Sequence, residues 1–166
     1  MLFRSQILVE TFLVSSTVKK VEICDNDVTA IGAAVLAEVL KVNSTVKEVN
    51  LAKNNITAIG AAALAKALKV NSTIKELNLA NNNITDTVST TFQVNSSISH
   101  TGVTAALTEA FNLNFYITMM ILQSNSMTVT GSLALAEAFQ VNSTISKVNL
   151  SNNKISDTGE IGRAHV

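Results

Sequence analysis

Few side chains in this sequence are of types that do covalent chemistry. Two histidines, His100 and His165, and one cysteine, Cys24, stand among 166 residues. A nucleophilic triad would have to pair His100 with one of the many serines. His100, however, sits in Ile98-Ser99-His100-Thr101-Gly102, a near copy of Ile155-Ser156-Asp157-Thr158-Gly159. It replaces a turn aspartate just before a helix, where Ser, Thr and Asp read as helix N-caps. Asp25, Asp27, Asp86 and Asp157 likewise fall in turns, where short polar residues are expected. One cysteine forms no intramolecular disulfide, and with two histidines it builds no Cys-rich zinc site. No P-loop is present, since the closely spaced Gly159 and Gly162 belong to a divergent tail. The reading is therefore of a protein that is not an enzyme, with no catalytic, cofactor-binding or metal-ligating residue and no cofactor. The near absence of cysteine predicts a reducing, cytoplasmic setting.

Charge narrows the partner class. Twelve basic residues balance 12 acidic ones. A nucleic-acid binder normally carries a basic excess against phosphate, and a membrane-surface module a polybasic patch, so neither partner is expected. At the N-terminus Glu10 interrupts the apolar run, so Leu8, Phe12 and Leu13 read as one helix face rather than a signal peptide. No stretch approaches the ~20 apolar residues of a membrane-spanning helix.

The elements that position everything else come from self-comparison. Residues 38–60 recur at 66–88 with 15 of 23 positions identical, a shift of 28. The same shift carries Thr17, Val21, Ile23, Asn26, Val28 and Gly32 onto Thr45, Val49, Leu51, Asn54, Ile56 and Gly60. A fixed period of this size predicts a solenoid, because one short unit cannot bury its apolar face without neighbours. Alternation in Val49-Asn50-Leu51 and Leu77-Asn78-Leu79 predicts a brief strand in each unit. An asparagine follows the second apolar position by three residues every time: Asn26, Asn54, Asn82, Asn125 and Asn153. An inward amide both donates and accepts, so these five are read as a structural ladder satisfying the turn backbone. Val28, Ile56, Ile84, Met127 and Ile155 then close the turn, and Gly32, Gly60 and Gly131 are expected to open a helix. In the helix that follows Gly60, Ala61, Leu64, Ala65 and Leu68 form the apolar stripe while Lys66 and Lys69 face water. The Asn-x-Ser/Thr sequons at Asn43, Asn71, Asn95 and Asn142 are copies of one helix-to-strand turn and read as turn chemistry, not glycosylation.

The LxLxxNxI and GxxxLAxAL patterns resemble the leucine-rich repeat family, in particular its ribonuclease-inhibitor-type subclass. The resemblance covers nearly all of residues 8–159. It implies an α/β leucine-rich repeat solenoid, a curved horseshoe with a parallel sheet on the concave face and helices on the convex one. Two departures stand out. Ile84 and Met127 are 43 residues apart where two repeats need 56, so a strand element is missing and 88–101 is an irregular junction. A loop around 95–101 is expected there, dividing the chain into two partly independent stacks. Residues 160–166, EIGRAHV, break the repeat and resemble the translation of a sequencing adapter. They read as an artefactual tail on a fragment of a longer chain, leaving 1–159 as the repeat domain.

Strand alternation points Lys20, Glu22 and Cys24; Glu48, Asn50 and Ala52; Glu76, Asn78 and Ala80; Met119, Ile121 and Gln123; and Lys147, Asn149 and Ser151 to the concave side. The recurrent small or polar residues at the Cys24 position make that thiol a bland spacer. Glu48, Asn50, Glu76, Asn78, Met119, Ile121, Lys147 and Asn149 are the candidate partner-binding residues, with Met119 and Ile121 the apolar spot on a mixed floor. A rigid floor of this composition predicts a protein-binding module. The resemblance extends to NOD-like-receptor repeats, so the module is expected either to stand alone or to belong to a larger receptor or scaffold. A GTPase-activating protein for a Ran-like small GTPase, which uses the same repeats, is the alternative. Ribonuclease inhibition would need longer, cysteine-rich arrays.

Overall fold

The computed structural model describes residues 17–86 and 102–156, with side chains from 106 onward in the second stretch. The expected helix face at Leu8, Phe12 and Leu13, the junction with His100 and Asn95, and the 160–166 tail lie outside the described residues. Strand and helix alternate: β1 (Lys20–Glu22), α1 (Ala30–Val42), β2 (Glu48–Asn50), α2 (Ala58–Leu68), β3 (Glu76–Asn78), α3 (Gly102–Leu113), β4 (Met119–Ile121), α4 (Val129–Val141) and β5 (Lys147–Asn149). The five strands form one parallel sheet in sequence order. The middle residues Val21, Val49, Leu77, Met120 and Val148 lie in register along it. All but half-buried Val148 are buried, which commits each strand's flanking residues to the opposite face.

Behind the sheet the helices pack in sequence order, each against its neighbour. Their apolar stripes meet the strand residues in one continuous core that includes Leu40, Leu64, Leu79, Ile84, Phe111 and Leu135. The alanine-rich stripe of α2 is buried at Ala61, Leu64, Ala65 and Leu68, and Lys66 is exposed. Lys69 is half-buried and ion-paired with Glu109 of α3, so it spans two units instead of simply facing water.

Gly32, Gly60 and Gly131 do not open their helices. Each helix begins two residues earlier, at Ala30, Ala58 and Val129, immediately after an extended threonine. Close packing explains Gly60: a Cβ there would lie 2.9 Å from Ile56 Cγ2 and 3.0 Å from Ala33 Cβ. The threonines Thr29, Thr57 and Thr128 occupy the N-cap position without a side-chain cap hydrogen bond. At Thr128 the backbone N–H donates instead to the Asp86 carboxylate of the preceding unit, at 3.0 Å.

One residue before each ladder asparagine the backbone turns left-handed, at Asp25, Lys53, Asn81, Ser124 and Asn152, with φ between 52° and 60°. Non-glycine residues visit this region at a cost of about 1–2 kcal/mol. Five repeats of the same conformation show that the turn is imposed by the stack, since lysine and serine have no local preference for it.

Candidate protein-interaction face

Two rows of asparagine hold the units together. In the first, the Asn54 amide donates to the Ile23 carbonyl of the preceding unit at 2.8 Å and to Leu51 of its own at 3.0 Å, while Oδ1 accepts from Val28 N–H at 2.9 Å. Asn82 does the same with Leu51, Leu79 and Ile56 at 3.0, 3.1 and 3.0 Å. Asn125 repeats it with Leu79, Leu122 and Ile84, and Asn153 with Leu122, Leu150 and Met127. Asn26, in the first described unit, is exposed, and among the described residues its side-chain amide donates only to its own turn, at Cys24 and Ile23.

The second row runs through the helix-to-strand turns and went unrecognised as a ladder in the sequence. Asn71 donates to the carbonyls of Leu40 and Asn43 at 2.7 and 2.9 Å and accepts from the N–H groups of Thr73 and Ile74. Asn114 donates to Leu68 and Asn71, and Asn142 to Phe111 and Asn114. The signal was present as the same 28-residue step, but the Ser-Thr that follows Asn43, Asn71 and Asn142 drew attention to sequons. Asn114, followed by Phe115 and Tyr116, carries no sequon and was passed over. These four side chains are buried. A glycan on Asn71 or Asn142 would replace one of the two Nδ2 hydrogens that make the interunit bonds and would have to enter a buried site, so these two sequons are structural in the folded chain.

The sheet face is where side chains remain free of the core. Lys20, Glu22, Glu48, Asn50, Glu76, Asn78, Met119 and Ile121 line a shallow depression of about 170 Å³. Lys147 and Asn149 continue the row on β5, in register with Met119 and Ile121. The structure thus brings together all eight candidate binding residues on one surface. Its β1–β2 end is internally satisfied: Lys20 pairs with Glu22 at 2.7 Å and lies 3.6 Å from Glu48, and Asn50 donates to Glu22 at 2.8 Å. The hydrogen bond from Lys20, with that from Asn50, holds the Glu22 carboxyl below its usual range, and the same bond to Glu22 raises Lys20. On the β4–β5 side Asn149 donates to Gln123 at 2.9 Å. Cys24 is exposed at the β1 edge.

Nothing in the described residues resembles a poised catalytic or metal site. Every buried side-chain nitrogen and oxygen there has a hydrogen-bond partner. No group of three or more His, Cys, Asp or Glu side chains is placed to hold a metal ion. No helix among the described residues is long and apolar enough to cross a membrane.

Parallel three-residue strands, alternating helices and asparagine-satisfied turns define an α/β solenoid of strand–turn–helix units. The fold is that of a leucine-rich repeat solenoid, and the family model described as leucine-rich repeat matches residues 42–65, 70–87 and 141–159. No curated protein matches the sequence significantly. Among solved structures, leiomodin-1 actin-binding site 2 superposes with a TM-score of 0.71 at 22% identity, covering 96% of this chain and 82% of that one. The tropomodulin C-terminal domain of Caenorhabditis elegans gives 0.61 at 14% identity, covering 93% and 87%. At such identities the likeness is one of fold.

Proposed function

We propose that this chain is a non-catalytic protein–protein interaction module that binds its partner on the sheet face, the concave side of a ribonuclease-inhibitor-type solenoid, as part of a larger cytoplasmic receptor or scaffold. The observation that carries this reading is β4. Met119 and Ile121 are half-buried side chains on the face the core does not use, at positions held by Glu76 and Asn78 on one side and Lys147 and Asn149 on the other. Burying each against a partner contributes about 1.5–3 kcal/mol. The leiomodin-1 structure bears the name of an actin-binding site, which makes actin the first partner to test. Co-sedimentation with filaments and gel filtration with monomers cover both forms. Met119→Asp with Ile121→Asp should abolish complex formation while the circular-dichroism melt stays in place. A collapsed melt would make these two side chains core and overturn the reading. Accelerated GTP hydrolysis by a Ran-like small GTPase would instead favour the GTPase-activating alternative.

A further inference from the structure

The middle of the sheet face differs from its β1 end in what is left uncommitted. Toward β1 the polar side chains answer one another, as Lys20 does Glu22 and Asn50 does Glu22. At β3, Glu76 forms no ion pair among the described residues. The Asn78 carbonyl accepts from Ala80 N–H at 3.0 Å, but its NH2 group donates to nothing in the described residues. Glu48, which shares Lys20 with Glu22, stands directly beside Glu76 in the parallel register, about 4.8 Å away at the backbone. Like charges in that relation repel. On its other side Glu76 faces Met119, which offers no compensation. A carboxylate pair, a free amide and two half-buried apolar side chains therefore adjoin one another on a single open surface.

We propose that this face selects a protein segment carrying a Lys or Arg side chain one strand spacing from an apolar side chain. The cation sits at Glu48 and Glu76, the apolar group rests on Met119 and Ile121, and the Asn78 NH2 donates to a main-chain carbonyl of the segment. The inference rests on the sheet face being the docking surface. Charge complementarity chooses the occupant: Lys20 already lies 3.6 Å from Glu48, so an acidic or purely apolar segment would leave Glu76 uncompensated and desolvated, which is costly.

Two synthetic peptides of equal length, repeats of Leu-Ser-Arg-Ser and of Leu-Ser-Glu-Ser, test this on the full chain by fluorescence anisotropy, with hydrogen exchange to locate the contact. The arginine peptide should bind about tenfold or more tightly than the glutamate peptide and protect β2 to β4. Glu76→Lys should weaken it by about tenfold or more, whereas Glu137→Lys, the same charge change on exposed α4, should not. Glu76→Gln, which adds no charge, gives a second reading should the lysine variant melt early. Equal binding of both peptides at the sheet, or indifference to Glu76→Lys, would overturn the charge selection and leave the surface standing. Protection of the helices instead of the sheet would overturn the surface itself. Absence of binding by either peptide would overturn the selection proposed.

Discussion

The β2–β3 and β3–β4 interfaces are built alike although the chain reaches them by steps of different length. From β2 to β3 the register partners are 28 residues apart, Val49 with Leu77; from β3 to β4 they are 43 apart, Leu77 with Met120. Yet Leu51 N–H meets Asn78 O at 2.9 Å in the first and Leu79 N–H meets Ile121 O at 2.8 Å in the second. Asn82 reaches Leu51 O at 3.0 Å, and Asn125 reaches Leu79 O at 2.9 Å. On the helix side both Asn71 and Asn114 donate to the unit before them at 2.7 Å. Stacking therefore reads the strand pair and the two asparagine rows and is indifferent to how much chain lies between. The interfaces differ in their outward side chains, which are acidic and polar on β2 and β3 and apolar on β4.

That equivalence can be broken. The largest effect is expected in the core: Leu77→Ala and Met120→Ala should each cost about 2–5 kcal/mol, because both side chains are essentially inaccessible and leave a cavity. Chemical denaturation that gave Met120→Ala a much smaller loss would show that the second interface is looser than its geometry suggests. Replacing ladder asparagines comes next. Asn82→Leu strands Ile56 N–H and leaves the Leu51 carbonyl with Asn54 alone of its two amide donors, and Asn125→Leu strands Ile84 N–H and leaves the Leu79 carbonyl with Asn82 alone, so about 1–3 kcal/mol should be lost in each. Wild-type stability in both variants would remove the ladder from the account of the fold.

Hydrogen exchange sharpens the comparison without mutation. Leu51 and Leu79 amides make matching bonds across the two interfaces, and comparable protection is the expected result. Much faster exchange at Leu79 would support two partly independent stacks, in which nearest-neighbour coupling fails at the junction. The smallest effect concerns the paired end of the face. Because the folded Glu22 carboxyl titrates below its unfolded value, its contribution is present above the ordinary glutamate range and is lost as pH falls through the folded value. Lys20 works in the opposite sense, its contribution present below the unfolded lysine value and lost as pH rises through the folded one. Both groups are exposed, so the effect belongs in an NMR titration and not in the melt. Lys20→Ala should return the Glu22 midpoint toward the usual range; an unmoved midpoint would mean the pair is not formed in solution.

Much of this was legible in the chain itself. A spacing of 28 between Val49 and Leu77 and between Asn54 and Asn82 requires stacked units, and period-2 alternation assigns Glu48 and Asn50 to one face and Val49 to the other. Local reasoning failed where a residue's role depends on another unit. Gly60 read as a helix opener, yet its constraint is Ile56 together with the Ala33 methyl of the preceding unit. Asn71 read as a turn residue, yet its amide bonds to Leu40 and Asn43. Thr128 stands at a helix N-cap, yet its N–H bonds to Asp86, 42 residues away, which no local pattern announces.

Periodicity alone determined the strand–turn–helix unit, its repetition, the direction in which each side chain points and the composition of the outward face, because all of these follow from spacing along a single chain. Tertiary structure decided how the units meet across the 43-residue step, which asparagines bridge them, and which polar groups on the face remain unanswered. Those outcomes depend on distances between groups in different units. Whether Glu76 has a counter-ion is set by Lys20 closing on Glu22 and Glu48 two strands away and by Met119 standing beside Glu76, and only the stacked sheet fixes that.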